Sequence, residues 1–301
     1  MRQWIVELKE TGIRRILVNE PLAPYTTWKI GGPADVLVIP ETLDELRAAL
    51  RLFHRHGVPW TLLGKGSNTL VTDKGVRGAV IKLGSGFEQV RFERDRVIAG
   101  AAFSFIKLSV LAGKQGLTGL EFAGGIPGSV GGAVCMNAGA HGSDVSRVLV
   151  SADAVLEDGE LVRLGNEDLR FGYRRSILQE RRAVVVEAVF QLREGDRKEI
   201  AAAMAIYKDR RLRTQPLMMA CAGSVFRNPE NHYAAQLIEQ AGLKGLRVGG
   251  AEVSAQHANF IVNTGNAKAE DVLALIEQIQ RTVLERFGIR LEPEVLLVGE
   301  R

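Results

Sequence analysis

Between residues 36 and 81 two apolar runs bracket one periodic segment. Leu46, Ala49, Leu50 and Phe53 recur at helical spacing behind Thr42-Leu43-Asp44-Glu45, a capping-box pattern, and Gly57 follows the last periodic residue. One amphipathic helix is predicted there. Val36-Leu37-Val38-Ile39 before it, Pro59-Trp60-Thr61-Leu62-Leu63 after it and Ala79-Val80-Ile81 further on read as buried strands. The pattern is β-α-β with a further strand, a small α/β unit. From Phe87 the texture changes to shorter strands, at Arg96–Ala99 and Leu149–Leu156, with a hairpin signal at Glu157-Asp158-Gly159-Glu160 and a strong strand at Ala183–Phe190. One helix, about Ser104 to Lys114, lies among them. A helix from about Lys198 to Arg211 leads out and Pro216 ends it. Beyond come a turn at Gly223–Pro229, a helix around Ala234–Ala241 and a strand at Ala258–Val262. A long helix follows, with Val272, Leu275, Ile276, Ile279, Val283 and Phe287 on one face, and then the apolar close Leu291–Val298. Three regions are therefore predicted: 1–86, 87–206 and 207–291, with 292–301 returning to the second.

Composition narrows the class. Of 301 residues, 46% are hydrophobic and 25% charged, a globular balance with material for a sizeable core. No stretch approaches the apolar length that crosses a bilayer, and the first twenty residues mix Arg2, Glu7, Lys9, Glu10, Arg14 and Arg15 into any apolar run, so the reading is cytoplasmic with no membrane contact. Cys135 and Cys221 have neither C-x-x-C nor zinc-ligand spacing; they are expected to be reduced, buried thiols, and no metal is expected. The net charge of +4 is spread among 35 acidic residues. Its one local excess, Lys208-Asp209-Arg210-Arg211-Leu212-Arg213, is either a solvated helix face or a rim for an anionic small molecule. Without interleaved aromatics, nucleic acid is not an expected partner.

Candidate chemistry centres on glycine. Seven glycines fall in the nineteen residues from Gly124 to Gly142. Such a run is costly unless the chain needs positive φ or must let another backbone or a ligand come close. Ile126, Val130, Val134 and Met136 interleave with the glycines and argue for a packed segment rather than a loose turn. Successive N–H groups in such turns, or at a helix start, bind anions without charged side chains. The spacing matches neither G-x-G-x-x-G nor the P-loop. A second bend, Gly64-Lys65-Gly66-Ser67-Asn68, sits directly after an apolar strand. Alone it is a plain turn as readily as a site, but one elongated diphosphate ligand could use both bends.

Six motifs in order carry a resemblance: Thr26-Thr27-Trp28-Lys29-Ile30-Gly31-Gly32; Gly64-Lys65-Gly66-Ser67-Asn68; Gly125-Ile126-Pro127-Gly128-Ser129-Val130-Gly131-Gly132-Ala133; Tyr173-Arg174-Arg175-Ser176; Ala222-Gly223-Ser224-Val225-Phe226; and Leu291-Glu292-Pro293-Glu294-Val295. From about Asn19 onward the chain resembles the UDP-N-acetylenolpyruvoylglucosamine reductases, in the shorter variety that lacks an inserted tyrosine-bearing loop. The resemblance implies an α+β fold: an FAD-binding domain of the vanillyl-alcohol-oxidase type in two subdomains, plus a C-terminal α/β substrate domain. It implies noncovalent FAD, held by Gly64, Lys65, Gly66, Ser67, Asn68, Gly125, Ile126, Pro127, Gly128, Ser129, Gly131, Gly132 and Ala133. NADPH is the implied co-substrate and UDP-N-acetylglucosamine enolpyruvate the implied substrate, with no obligate protein partner.

By position in those motifs, Ser224 is the implied proton donor. Arg174 and Glu294 are the implied pair that polarises the enolpyruvyl carboxylate. Arg174 supplies a permanent bidentate cation, whereas Glu294 helps only when protonated or donating through water. Taken singly, the three are equally a turn hydroxyl, a surface ion-pair partner and a strand-edge charge. Asn228, Lys244 and His257 fall where the family's third domain touches the UDP-sugar. His141 stands where an uncharged, often aromatic residue is expected. Two other readings are an FAD-dependent oxidase or dehydrogenase of an alcohol or hydroxy acid on the same fold, and a non-catalytic flavin- or nucleotide-binding module. The first would want a His or Tyr base, where this chain offers Arg, Ser and Glu; the second predicts that Ser224→Ala changes nothing.

Overall fold

The computed structural model describes residues 3–300. The chain divides into two compact units. The first comprises the segment up to Leu17, Val36–Lys65 and Gly78–Asp209; the second comprises Val18–Asp35, Gly66–Arg77 and the chain from Arg210 onward.

In the first unit the expected helix is present as Leu43–His56. Thr42 accepts the Glu45 N–H, acidic side chains occupy its first turn and basic ones its last, and Gly57 closes it in the left-handed region at φ 60°. The reciprocal half of the capping box shifts by one residue: the Glu45 carboxylate accepts from the N–H of Glu41, at 2.7 Å, rather than of Thr42. The buried face of the helix, Leu46, Ala49, Leu50 and Phe53, packs with Val36, Val38, Ala79 and Ile81. Trp60–Leu62 runs parallel to Val76–Ile81, pairing Trp60 with Ala79 and Leu62 with Ile81. A helix that the sequence pattern did not indicate, Gln3–Glu10, sets Trp4 edge-on to Phe53 at 6.0 Å.

The same unit holds a five-stranded antiparallel sheet in the order Leu161–Gly165, Leu149–Leu156, Ala183–Gln191, Arg96–Gly100, Val90–Glu93. Its core takes in Val97, Ala152, Ala188 and Phe190 with Phe105 and Leu108 from the helix Phe105–Lys114, which Ser104 caps. Val130 and Val134, from the short helix Val130–Cys135, enter this core fully buried. The interleaved apolar residues of the glycine-rich stretch are thus its anchors.

The second unit is built on a four-stranded sheet in the order Ala220–Cys221, Ile261–Asn263, Ala251–Val253, Arg247–Val248. Val272, Leu275, Ile276, Ile279 and Val283 of the helix Ala269–Phe287 are buried in its core. Trp28 is wholly buried there and donates its indole N–H to the Ile261 carbonyl at 2.8 Å. A strand that the sequence pattern did not indicate follows the bend at once: Thr69–Val71 pairs in parallel with Leu296–Val298. The strand expected at Ala258–Val262 starts later, at Ile261. The helix expected to end near Arg211 continues to Thr214, two residues before Pro216. No helix among the described residues is long and apolar enough to cross a membrane.

Phe53→Ala removes a fully buried ring that also meets Trp4 edge-on. It is expected to cost about 3–5 kcal/mol in denaturant unfolding, against about 1 kcal/mol for Thr42→Ala, which removes only the cap.

Candidate active site

In the first unit the two glycine-bearing bends meet. A Cβ built on Gly64 would lie 3.0 Å from Ser129 Oγ. Lys82 Nζ donates to the Gly64 carbonyl at 2.7 Å. Ser129 is buried and caps the short helix, accepting from the Gly132 N–H at 3.4 Å. Val130 and Gly131 donate to the carbonyls of Phe103 and Ala101, and the Gly128 carbonyl accepts from Phe105. A Cβ on Gly131 would come within 2.9 Å of Ala101 Cβ. Among the described residues, the main-chain N–H groups of Gly64, Lys65, Gly128 and Ser129 donate to no protein acceptor. Donors so arranged, with lysines beside them, suit an anionic oxygen-rich group such as a diphosphate. The Lys65 ammonium is held below its usual value by partial burial and by Lys107, against the pull of Glu88. Burial likewise depresses Lys82, with Lys65 adding to it. An incoming anion relieves both.

The rest of the second motif lies in the other unit. Gly66 has φ 62°, and a Cβ there would stand 2.6 Å from the Tyr25 carbonyl. Asn68 Nδ2 donates to the Glu294 carbonyl at 3.1 Å, and the Asn68 carbonyl accepts from Leu296.

Arg174 is moored in the first unit to the end of the glycine-rich stretch. It has φ 55°, donates from Nη2 to the Gly139 carbonyl at 2.8 Å and lies over the Tyr173 ring at 5.2 Å. Three side chains hold this loop, of which the motifs contained Ser176 but not Asn137 or Gln179. Asn137 Nδ2 donates to Gly172, the buried Ser176 hydroxyl to Cys135 at 2.6 Å, and Gln179 Nε2 to the Arg174 carbonyl. Cys135 is free, and burial pushes its thiol up to about 11. His141, at φ 55°, stacks on Tyr207 with ring centroids 3.9 Å apart.

Ser224 and Glu294 come together in the second unit. Ser224 is half-buried and follows Gly223, whose φ is 73°. The Glu294 N–H donates to the Val225 carbonyl at 2.7 Å, and Phe226 forms a bridge with Pro293. Asn228 Oδ1 accepts from the Ala234 N–H, where the helix Ala234–Gln240 begins. Lys244 pairs with Glu239 at 2.9 Å. His257 packs against Phe260, with its pKa pushed down first by burial and then by the Lys244 charge. Cys221 is likewise free, its thiol raised by burial against the Gly223 N–H and Arg211.

This α+β framework is that of an FAD-dependent oxidoreductase: the family model described as "FAD binding domain" matches residues 34–165. A second, "UDP-N-acetylenolpyruvoylglucosamine reductase, C-terminal domain", matches residues 215–298. The chain is 52% identical over 300 residues to UDP-N-acetylenolpyruvoylglucosamine reductase 1 of Bacillus cereus, covering 99% of this chain and 100% of the relative. It therefore belongs to the UDP-N-acetylenolpyruvoylglucosamine reductase family. The crystal structure of the enzyme of that name from Thermus caldophilus, 37% identical, superposes with a TM-score of 0.81 over 95% of this chain and 98% of that one. A berberine bridge enzyme variant, 13% identical with a TM-score of 0.52 over 65% of this chain and 44% of its own, shares the fold alone. The fold class expected from the sequence is the one found.

Two measurements check this geometry. Gly64→Val, which drives a side chain toward Ser129, is expected to lower the FAD bound per chain, read from visible absorbance, while leaving the circular dichroism of the fold in place. Burial holds the His257 pKa below its ordinary value, so across the histidine range the unfolded chain binds the extra proton. Stability of the second unit should hold above the ordinary histidine range and fall as pH drops through it. His257→Gln should flatten that fall in urea unfolding at successive pH values.

Proposed function

We propose that this protein reduces the enolpyruvyl group of UDP-N-acetylglucosamine enolpyruvate to the lactyl ether of UDP-N-acetylmuramate, a peptidoglycan precursor, at the expense of NADPH. FAD, bound noncovalently at the bends Gly64–Asn68 and Gly125–Ala133, supplies the hydride relay between NADPH and the enolpyruvyl β-carbon. The carbon–carbon double bond becomes single, the β-carbon gains the hydride and the α-carbon gains a proton.

The chain's own residues make the acceptor reactive. Hydride adds to a conjugated double bond only if the charge arriving on the carboxylate side is met by fixed donors. Arg174 meets it with a charged, planar fork of N–H groups. Glu294 assists in its protonated form or through a water. Ser224 delivers the proton to the α-carbon; its hydroxyl is a feeble acid and needs a relay that replaces the proton. Asn228, Lys244 and His257 bind the UDP-sugar. The Asn228 amide keeps donors to offer while its oxygen receives the Ala234 N–H. The enzyme works in the cytoplasm without an obligate protein partner. Residues 1–86 and 87–206 form the FAD-binding subdomains and 207–291 the substrate domain, while the expected return of 292–301 to the 87–206 region is not kept, because Leu296–Val298 pairs with Thr69–Val71.

The observation that carries these roles is the bond from Glu294 N–H to the Val225 carbonyl, which keeps the carboxyl-bearing strand beside the residue that follows Ser224. In stopped-flow work, Ser224→Ala should leave the NADPH-dependent loss of visible absorbance at the wild-type rate. It should slow the absorbance recovery on adding the enolpyruvyl sugar anaerobically by on the order of 10²–10⁴-fold, the span of general acid catalysis. Equal slowing of both halves would overturn the role given to Ser224.

A further inference from the structure

We propose that Asn259 is a positioning residue for the proton-delivery step: its buried carboxamide grips Phe226, two residues after Ser224, and so fixes where the hydroxyl stands relative to Glu294. This rests on the reading of Ser224 as the proton donor. Asn259 is 4% exposed and lies just ahead of the strand Ile261–Asn263. Its Oδ1 accepts the Phe226 N–H at 2.9 Å and its Nδ2 donates to the Phe226 carbonyl at 2.8 Å. Its own main-chain carbonyl accepts the Val225 N–H at 2.9 Å. On the opposite side, the Val225 carbonyl takes the Glu294 N–H and the Arg227 N–H donates to Glu292 at 2.9 Å. Residues 225–227 therefore lie between Asn259 and the 292–294 segment, bonded to both.

A carboxamide is suited to this task because it carries one acceptor and one donor side by side, so a single side chain can satisfy both polar groups of one residue. Here it stands in for a neighbouring strand where no regular ladder exists. The grip matters because Gly223, on the other side of Ser224, sits at φ 73° and brings no side chain to resist rotation. Val225 and Phe226, each 1% exposed, have no water to replace a lost bond. Without the Asn259 carboxamide, that side of the segment keeps only the main-chain bond to Val225.

The experiment uses the FAD-loaded full chain and reads the two half-reactions separately for Asn259→Ala, Asn259→Asp and each combined with Ser224→Ala. Both single variants should leave reduction by NADPH unchanged and slow turnover of the enolpyruvyl sugar by on the order of 100-fold, as a small misplacement of a reacting group does. In Asn259→Asp the ionised carboxyl still accepts the Phe226 N–H but turns a second acceptor toward the Phe226 carbonyl. Protonation restores the donor, so this variant alone should recover the sugar half-reaction as pH falls. The charged or titratable groups around it, His257 whose Nδ1 accepts the Asn259 N–H, and Arg227 and Glu294 on the paired segments, are common to wild type and Asn259→Ala, whose profiles subtract them. Combined with Ser224→Ala, either change should cost nothing more. Equal loss in both half-reactions, additivity with Ser224→Ala, or an Asn259→Asp profile that tracks Asn259→Ala would overturn the inference while leaving Ser224 in place. Ser224→Ala at the wild-type rate would instead overturn the proton-donor reading, and this inference with it.

Discussion

The glycine-rich stretch from 124 to 142 has to serve two opposed demands: it must be packed firmly enough to hold a shape, and it must keep main-chain N–H groups away from protein acceptors so that an anion can take them. Packing a chain normally buries and pairs its amides. The conflict is resolved by dividing the work along the segment. Val130 and Val134 are buried in the core of the five-stranded sheet, while Gly128 and Ser129 keep their N–H groups unpaired beside Gly64. A Cβ at position 64 would crowd Ser129 Oγ at 3.0 Å, so glycine eases the approach of the first bend. Lys65, exposed, and Lys82, half-buried, supply charge that amides alone lack.

The same device recurs in the second unit on a smaller scale. Irregular backbone at 223–227 is made rigid by partners that imitate a sheet: the Asn259 carboxamide on one side, Glu292 and Glu294 main-chain groups on the other. Rigid backbone is what a weak acid such as a serine hydroxyl needs, since its contribution depends on placement more than on acidity. Asn68 is bound into this arrangement through the Glu294 carbonyl, and Thr69–Val71 with Leu296–Val298 continues it as a parallel ladder. The motif that begins with the bend at Gly64 thus ends by holding the segment that carries Glu294.

Local features were legible in the chain because their causes are local. Thr42 and Gly57 bound their helix because a cap hydroxyl and a left-handed residue act within a few positions. The spacing of Val272, Leu275, Ile276, Ile279 and Val283 defines a buried face whatever it packs against. Glycine at 64, 66 and 131 announces close approach, and the family motifs around Arg174, Ser224 and Glu294 are read from order and identity alone.

What the chain did not announce is whatever depends on a partner far away in it. Thr69–Val71 is a strand only because Leu296–Val298 lies beside it, and Gln3–Glu10 is settled as a helix by burying Trp4 against Phe53. Asn259, Asn137 and Gln179 look like any polar residues until the tertiary structure aims them at Phe226, Gly172 and Arg174. By itself the sequence determined the main helices and strands, the glycine-bearing bends and the family, since spacing and side-chain type suffice for those. Tertiary structure alone decided which polar side chains hold the reacting segments still, because a hydrogen bond between distant residues leaves no periodic trace along the chain.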